Sequence, residues 1–148
     1  MSTIRGCNLP EDLYYFIDKH VWAQPLEGGK VRIGMTSVAA TLSGGKLAAI
    51  TVKAKNIGQE VKQGKSVANI ESSKFVGHVP APVTGILERA NEKLVNDPNI
   101  AVSDPYGEGW IAELKASNWD GEKGSLVTGA DGLAEYQAKL EADGISCP

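Results

Sequence analysis

The feature that most constrains the fold is a polar break, Ser72-Ser73-Lys74, between two short runs of β-prone residues. Val67 to Ile70 precede the break, with alternating side chains, and Val76 to Val79 follow it. Two prolines directly after the second run exclude a helix there and favour an edge or crossover strand. The segment is therefore predicted to form a β-hairpin that carries Lys74 in its polar tip.

A lysine in such a tip is held out into solvent on a rigid stem. That is the geometry that a covalently attached swinging arm requires, and it does not suit a residue meant to be buried. An ordinary solvated turn lysine is the interpretation that the tip alone favours, so the rest of the chain has to decide between the two.

Several blocks along the chain, in the right order, resemble the H protein of the glycine cleavage system. The resemblance covers residues 14 to 118, which makes it much more specific than one tetrapeptide. The blocks that carry it are Lys19-His20-Val21-Trp22, Glu71-Ser72-Ser73-Lys74, Ala81-Pro82-Val83-Thr84-Gly85, the run from Asn91 to Pro98, and the run from Tyr106 to Ile111.

The resemblance implies a mainly β fold of the barrel-sandwich type shared by lipoyl and biotinyl carriers, with a short internal helix and a C-terminal helix. It implies a carrier protein rather than an enzyme, with lipoate as a covalent cofactor on Lys74 as N6-lipoyllysine. Glu71 and Gly58 match positions that lipoate-attaching enzymes recognise. Three further residues are expected near the arm: Ser73, Phe75 and His78.

The chain also departs from the family pattern. His78 stands four places after the lysine, where the family tends to carry an acidic residue, and Ser73 to Gly77 replaces a small, alanine-rich stretch. In these respects the chain is most similar to the lipoate-binding proteins of heterodisulfide-reductase-like sulfur oxidation. That branch implies a lipoyl arm that shuttles a sulfur-containing intermediate or electrons to a heterodisulfide-reductase-like complex, after loading by a lipoate-attaching enzyme.

Three alternatives stay open. The first is a true glycine-cleavage H protein, which would carry an aminomethyl group between glycine decarboxylase components. The second is a biotinyl carrier, although such carriers usually place the lysine between methionines, unlike Ser73-Lys74-Phe75. The third is a binding or scaffold module whose lysine stays unmodified. No serine-hydrolase, phosphate-loop or zinc-protease motif points to an active site of the chain's own.

The length of 148 residues suits one domain with appendages. We predict an N-terminal extension over 1–13, a lipoyl-carrier domain over 14–118 and an acidic connector with a helix over 119–148. Within these, we expect a strand from Lys46 to Lys55. A C-terminal helix from Asp131 to Ala142 is expected to pack on the barrel through Leu133, Tyr136 and Leu140, with Glu135 and Lys139 as an i,i+4 pair.

The net charge of −3 hides a cluster of basic residues, which comprises Lys46, Lys53, Lys55, Lys62 and Lys65 against Glu60. It is either a solvated strand face or a docking surface for an acidic partner. The acidic net charge and the lack of a basic-aromatic platform argue against nucleic acid. No apolar run approaches the ~18 residues of a membrane span, and the N-terminus lacks an export signal, so no membrane association and a cytoplasmic location are expected.

The two cysteines, Cys7 and Cys147, lie near opposite ends of the chain and form no Cys-x-x-Cys motif. With only two histidines beside them, they do not suggest a metal site. Two free thiols in a reducing compartment, a terminus-to-terminus disulfide and a sulfur-handling thiol all remain compatible with the sequence.

Overall fold

The computed structural model describes residues 2–73 and 76–148, and its strands form three antiparallel sheets. A two-stranded sheet pairs β1 with β2, a seven-stranded sheet has the order β12-β3-β4-β5-β11-β10-β7, and a three-stranded sheet has the order β6-β8-β9. The strands are β1 (Ser2–Ile4), β2 (Cys7–Leu9), β3 (Tyr14–Phe16), β4 (Val21–Pro25), β5 (Lys30–Met35), β6 (Ala49–Thr51), β7 (Glu60–Val61), β8 (Ser66–Glu71), β9 (Val76–Pro80), β10 (Gly85–Ala90), β11 (Ala112–Ala116) and β12 (Val127–Thr128).

Helices are short except at the C-terminus. Thr36 caps α1 by accepting a hydrogen bond from the amide of Ala39, as serine and threonine side chains commonly do at helix starts. The helices are α1 (Ser37–Leu42), α2 (Lys93–Asn96), α3 (Ile100–Ser103), α4 (Trp119–Glu122) and α5 (Gly129–Asp143), and 3-10 turns cover 27–29, 54–56 and 123–125. The predicted mainly β fold with an internal and a C-terminal helix is confirmed.

The main hydrophobic core lies between the seven-stranded and the three-stranded sheets. Inward side chains of the larger sheet pack against those of the smaller one, and Leu94 and Ala101 from α2 and α3 close one end. This sandwich holds the β8–β9 hairpin, because its inner residues are part of the core. The strand residues of this core include Val31, Ile33, Leu87 and Leu114 from one sheet and Ile50, Val67, Ile70 and Val79 from the other.

A second core joins the two ends of the chain. The predicted stripe of Leu133, Tyr136 and Leu140 on α5 is buried against Tyr15 and Trp22 of the large sheet. A disulfide links Cys7 of β2 to Cys147 after α5, so among the three cysteine states left open by the sequence the structure has the terminus-to-terminus bridge. The helix therefore packs back on the barrel as predicted, together with the N-terminal hairpin.

Two local predictions were wrong. The strand expected over residues 46–55 covers only Ala49–Thr51, because the Leu47 amide donates to the Asn99 side chain and residues 54–56 turn into a 3-10 helix. Lys139 pairs with Asp143, at 3.2 Å, and lies 3.9 Å from Asp18, rather than pairing with Glu135. In both cases, contacts distant in sequence or on the next helical turn outweighed the local pattern.

Candidate functional site

The β8–β9 hairpin flanks the predicted attachment lysine. Its antiparallel register ends with the pair Glu71 and Val76, and both of these residues are exposed, Val76 to 72%. Lys74 and Phe75 themselves lie outside the described residues. The hairpin predicted from the sequence is therefore confirmed up to its last described pair.

The hairpin is anchored on both sides below its tip. Ile70 pairs with Ile50 of β6 and with Gly77 of β9, and it is 5% exposed. Beyond β6, the amide of Ala48 donates a 2.7 Å hydrogen bond to the carbonyl of Glu71. A strand hydrogen-bonded on both edges and buried on one face moves little, so the residues that precede the tip form a rigid stem.

The two predicted recognition residues lie in different parts of the fold. Glu71 ends β8 in the three-stranded sheet, with an exposed side chain. Gly58 has φ +86° and donates its amide to the carbonyl of Leu87 at 2.7 Å, on the path into β7 of the seven-stranded sheet. Ser73, predicted near the arm, is an exposed bend residue two positions after the end of β8.

His78, also predicted near the arm, lies on the outer face of the three-stranded sheet. Its Nδ1 is 2.8 Å from the Asn69 Oδ1, the residue directly opposite on β8, and 3.4 Å from the Ser66 Oγ. Thr51 of β6 lies opposite Asn69 on the other side, so the three side chains form a row across the sheet. His78 thus sits two residues from the last described pair of the hairpin.

A small cavity lies beside the hairpin, between β8–β9, α1 and the turn before β4. Its volume is about 170 Å³, and apolar side chains dominate its wall. We call it the hairpin cavity. Its lining residues are Asp18, Lys19, His20, Val21, Met35, Ala39, Leu42, Ile70, His78 and Val79.

His20 in the wall of this cavity belongs to a buried hydrogen-bond network. Its Nδ1 lies 2.7 Å from the Tyr136 Oη, which in turn lies 3.1 Å from the Thr36 Oγ1. The His20 backbone has φ +59°, and its carbonyl accepts from the Thr36 amide. Sequence reasoning identified His20 only through the resemblance, and no local signal could have shown the network, because Tyr136 is 116 residues away.

Burial of His20, together with the positive charge of Lys139, lowers its pKa from 6.5 to about 4. The imidazole is therefore neutral at pH 7. It presents a polar but uncharged group to the cavity, able to form a hydrogen bond with a thiol.

The hairpin cavity contains one carboxylate among its described lining residues. It belongs to Asp18, whose side chain is 75% exposed and faces Lys139 at 3.9 Å. Lys19 adds a cation at the rim. The cavity wall is thus apolar and polar-neutral, and its charged groups are at the edge.

Within residues 2–73 and 76–148, no cluster of three or more histidine, cysteine, aspartate or glutamate side chains is arranged to hold a metal ion. Among the helices that the structure describes, none is long and apolar enough to cross a membrane.

Comparison with known proteins places this geometry in a family. The family model for glycine cleavage H-protein matches residues 13–140. The chain is 42% identical to "Glycine cleavage system H protein 5" of Aquifex aeolicus, over 99% of both chains, and 38% identical to "Probable glycine cleavage system H protein 2" of Sulfolobus acidocaldarius, over 96% of this chain and 94% of the relative. A crystal structure of a glycine cleavage system H protein from Mycobacterium marinum superposes with a TM-score of 0.73 and 30% identity, over 93% of this chain and 100% of the other.

Proposed function

We propose that Lys74 carries a lipoyl arm, because this chain belongs to the glycine cleavage H-protein family, whose members are lipoyl carriers and not catalysts. The observation that carries the proposal is the hairpin register. The last described pair, Glu71 and Val76, leaves four residues between the strands, and Lys74 is the lysine among them.

The chain's own residues fit such a group. The hairpin cavity adjoins the stem, and its wall of aliphatic side chains and Met35 suits a small, apolar sulfur heterocycle. When bound, lipoate supplies a dithiol–disulfide couple whose thiolate form is the nucleophile. The protein's part is to hold the attachment point on a rigid stem, which raises the local concentration of the arm at a docked partner. His20 offers a neutral hydrogen-bonding group at the cavity wall.

For the client, the names of the relatives support the glycine cleavage system. In this function the chain would be loaded by a lipoate-attaching enzyme and would carry a glycine-derived amine between glycine decarboxylase and the other components. This is the first candidate, and it rests on family membership rather than on a feature of the cavity.

A second candidate, the transfer of sulfur intermediates to a heterodisulfide-reductase-like complex, is favoured by the charges of the hairpin cavity. A cationic amine seated there would need a buried carboxylate, because an unpaired buried charge is costly. Asp18 is exposed and faces Lys139, and the other charged residue in the wall, Lys19, is a cation. A neutral sulfur-bearing cargo meets no such penalty.

The experiment that tests the attachment is intact-mass analysis of protein purified from its native host, with peptide mapping. A lipoyl adduct on Lys74 is expected, and Lys74→Arg should remove it while circular dichroism and the melting temperature stay unchanged. An unmodified Lys74 in lipoate-replete cells would sink the carrier proposal and leave a binding module.

The two candidate functions are distinguished by measuring the activity of the lipoylated chain with purified glycine decarboxylase and, in parallel, with the heterodisulfide-reductase-like complex. His78→Asp adds a carboxylate beside the hairpin, on the outer face of β9 where His78 stands. Under the second candidate, the wild-type chain serves the glycine enzyme poorly and His78→Asp improves it. Full activity of the wild-type chain with glycine decarboxylase would decide for the first candidate.

A further inference from the structure

Four exposed lysines on one side of the molecule have no ion-pair partner among the described residues. Elsewhere, described lysines commonly do have one: Lys30 with Glu88, Lys93 with Glu108, and Lys123 with Asp120. We call the unpaired group the basic surface, and it consists of Lys53, Lys55, Lys62 and Lys65.

The basic surface adjoins the three-stranded sheet of the hairpin, at the end opposite the tip, because Lys53 follows β6 and Lys65 precedes β8. The cross-strand row of Thr51, Asn69 and His78 points outward, and the next outward row towards the hairpin tip contains Glu71 and Val76. In the opposite direction the same face leads to Ser66 and the lysines. The five residue steps of β8 between Ser66 and Glu71 span roughly 17 Å, so the surface and the tip are near enough for one partner to cover both.

Two adjacent hollows shape this surface. One, of about 260 Å³, is predominantly polar and has Lys53, Ser66, Asn69 and His78 in its wall. The other, of about 270 Å³, has Lys62 and Lys65 in its wall and shares Ser66 with the first. Glu60 is the one acidic residue among the described lining residues of the two hollows.

We propose that the basic surface docks an acidic surface of the protein that receives the arm, with an aspartate or glutamate side chain of the partner seated in the hollow beside Lys53 and Asn69. The proposal rests on the proposed function of Lys74 and adds the partner's chemistry. A carboxylate in the hollow would receive charge-assisted hydrogen bonds from the ammonium group of Lys53. The surrounding lysines would accelerate the encounter.

A protein fits this surface better than nucleic acid does. Single-stranded nucleic acid binds to aromatic platforms within a basic groove, and the described walls of the two hollows contain no phenylalanine, tyrosine or tryptophan. The chain as a whole has a net charge of −3, which would repel a long polyanion beyond the immediate patch.

The test reverses the four charges in Lys53→Glu, Lys55→Glu, Lys62→Glu and Lys65→Glu combined. A matched control reverses four exposed lysines elsewhere, Lys30, Lys93, Lys115 and Lys123. A second variant changes the basic surface to four arginines, which keeps the charge. Association rates are measured by stopped flow with three purified probes, namely the lipoate-attaching enzyme, glycine decarboxylase and the heterodisulfide-reductase-like complex, at low and physiological ionic strength.

We expect the reversed surface to lower the association rate with at least one of the two client enzymes by about tenfold or more and to flatten its salt dependence. The arginine variant and the control should stay within about twofold of the wild type. Equal losses in the control, unchanged rates with both client enzymes, an effect on the lipoate-attaching enzyme alone, or no binding by the wild type would each overturn the proposal.

Anionic phosphatidylserine vesicles are the fourth probe. If the charge reversal abolishes binding to these vesicles but leaves binding to the enzymes unchanged, the surface binds lipid. That outcome would overturn the proposal of a protein partner. Rates are measured with unlipoylated as well as lipoylated chain, so a failure of Lys74 to carry lipoate, seen by mass, remains distinguishable from a failure of docking.

Discussion

The Nδ1 of His20 and the Oη of Tyr136 lie 2.7 Å apart in a buried hydrogen bond, which ties the wall of the hairpin cavity to the C-terminal helix. The two rings are also nearly parallel, with an interplanar angle of 13°. Because Tyr136 additionally contacts the cap of α1 through Thr36, the helix α5 stabilises two walls of the cavity at once.

Tyr136→Phe should destabilise the fold by about 1–3 kcal/mol, because it leaves buried polar atoms of His20 and Thr36 without their partner. The measurement is urea unfolding followed by tryptophan fluorescence. Tyr14→Phe is the matched control: the Tyr14 side chain is half-buried and its hydroxyl makes no hydrogen bond to the described residues. A loss of stability in the control as large as that in Tyr136→Phe would contradict the role of the network.

His20 should make the stability of the fold depend on pH. Its pKa is lowered to about 4 in the folded state, against 6.5 when unfolded, so between these values the unfolded chain binds the extra proton. The contribution of His20 to the free energy of unfolding is therefore fully present above pH 6.5. It is lost as the pH falls towards 4, by about 3 kcal/mol at most.

The check is a series of urea unfolding curves between pH 4 and pH 7 for the wild type and for His20→Asn. Asparagine tolerates the positive φ at this position and does not titrate. The part of the pH dependence of the free energy of unfolding that comes from His20 should therefore disappear. Parallel slopes in the two proteins would show that the protonation of His20 is not linked to folding.

The disulfide between Cys7 and Cys147 should contribute strongly to stability, because it closes a loop of 140 residues. Removing it is expected to cost about 2–5 kcal/mol. Unfolding of the wild type should therefore shift to lower denaturant when a reductant is added, whereas Cys7→Ser with Cys147→Ser should be insensitive to reductant and resemble the reduced wild type. If reductant leaves the unfolding of the wild type unchanged and titration finds free thiols before reduction, the disulfide is contradicted.

Gly34 should not tolerate a side chain. It pairs with Trp22 across β4 and β5, and a Cβ at this position would lie 2.6 Å from atoms of the fully buried indole ring. Gly34→Ala should thus destabilise the fold by about 1–3 kcal/mol through overpacking. Gly124→Ala, where a Cβ meets open space, should stay within about 0.5 kcal/mol of the wild type in the same thermal or urea unfolding experiment.

Local sequence patterns were sufficient for the elements whose cause is local. The stripe of Leu133, Tyr136 and Leu140 predicted the buried face of α5. The strand from Lys46 to Lys55 was overestimated because its alternation was broken by the hydrogen bond between Leu47 and Asn99, 52 residues apart.

What the sequence by itself determined is the mainly β architecture and the hairpin on which Lys74 is proposed to carry the arm, because strand periodicity, turn residues and the ordered family blocks are all properties of short segments. Only the tertiary structure decided between free thiols and the Cys7–Cys147 bridge, brought His20 to Tyr136, and gathered the lysines of the basic surface beside the hollows. The physical reason is distance along the chain: the bridge and the His20–Tyr136 pair each join residues more than 100 positions apart, and the hollows form between elements that no local pattern brings together.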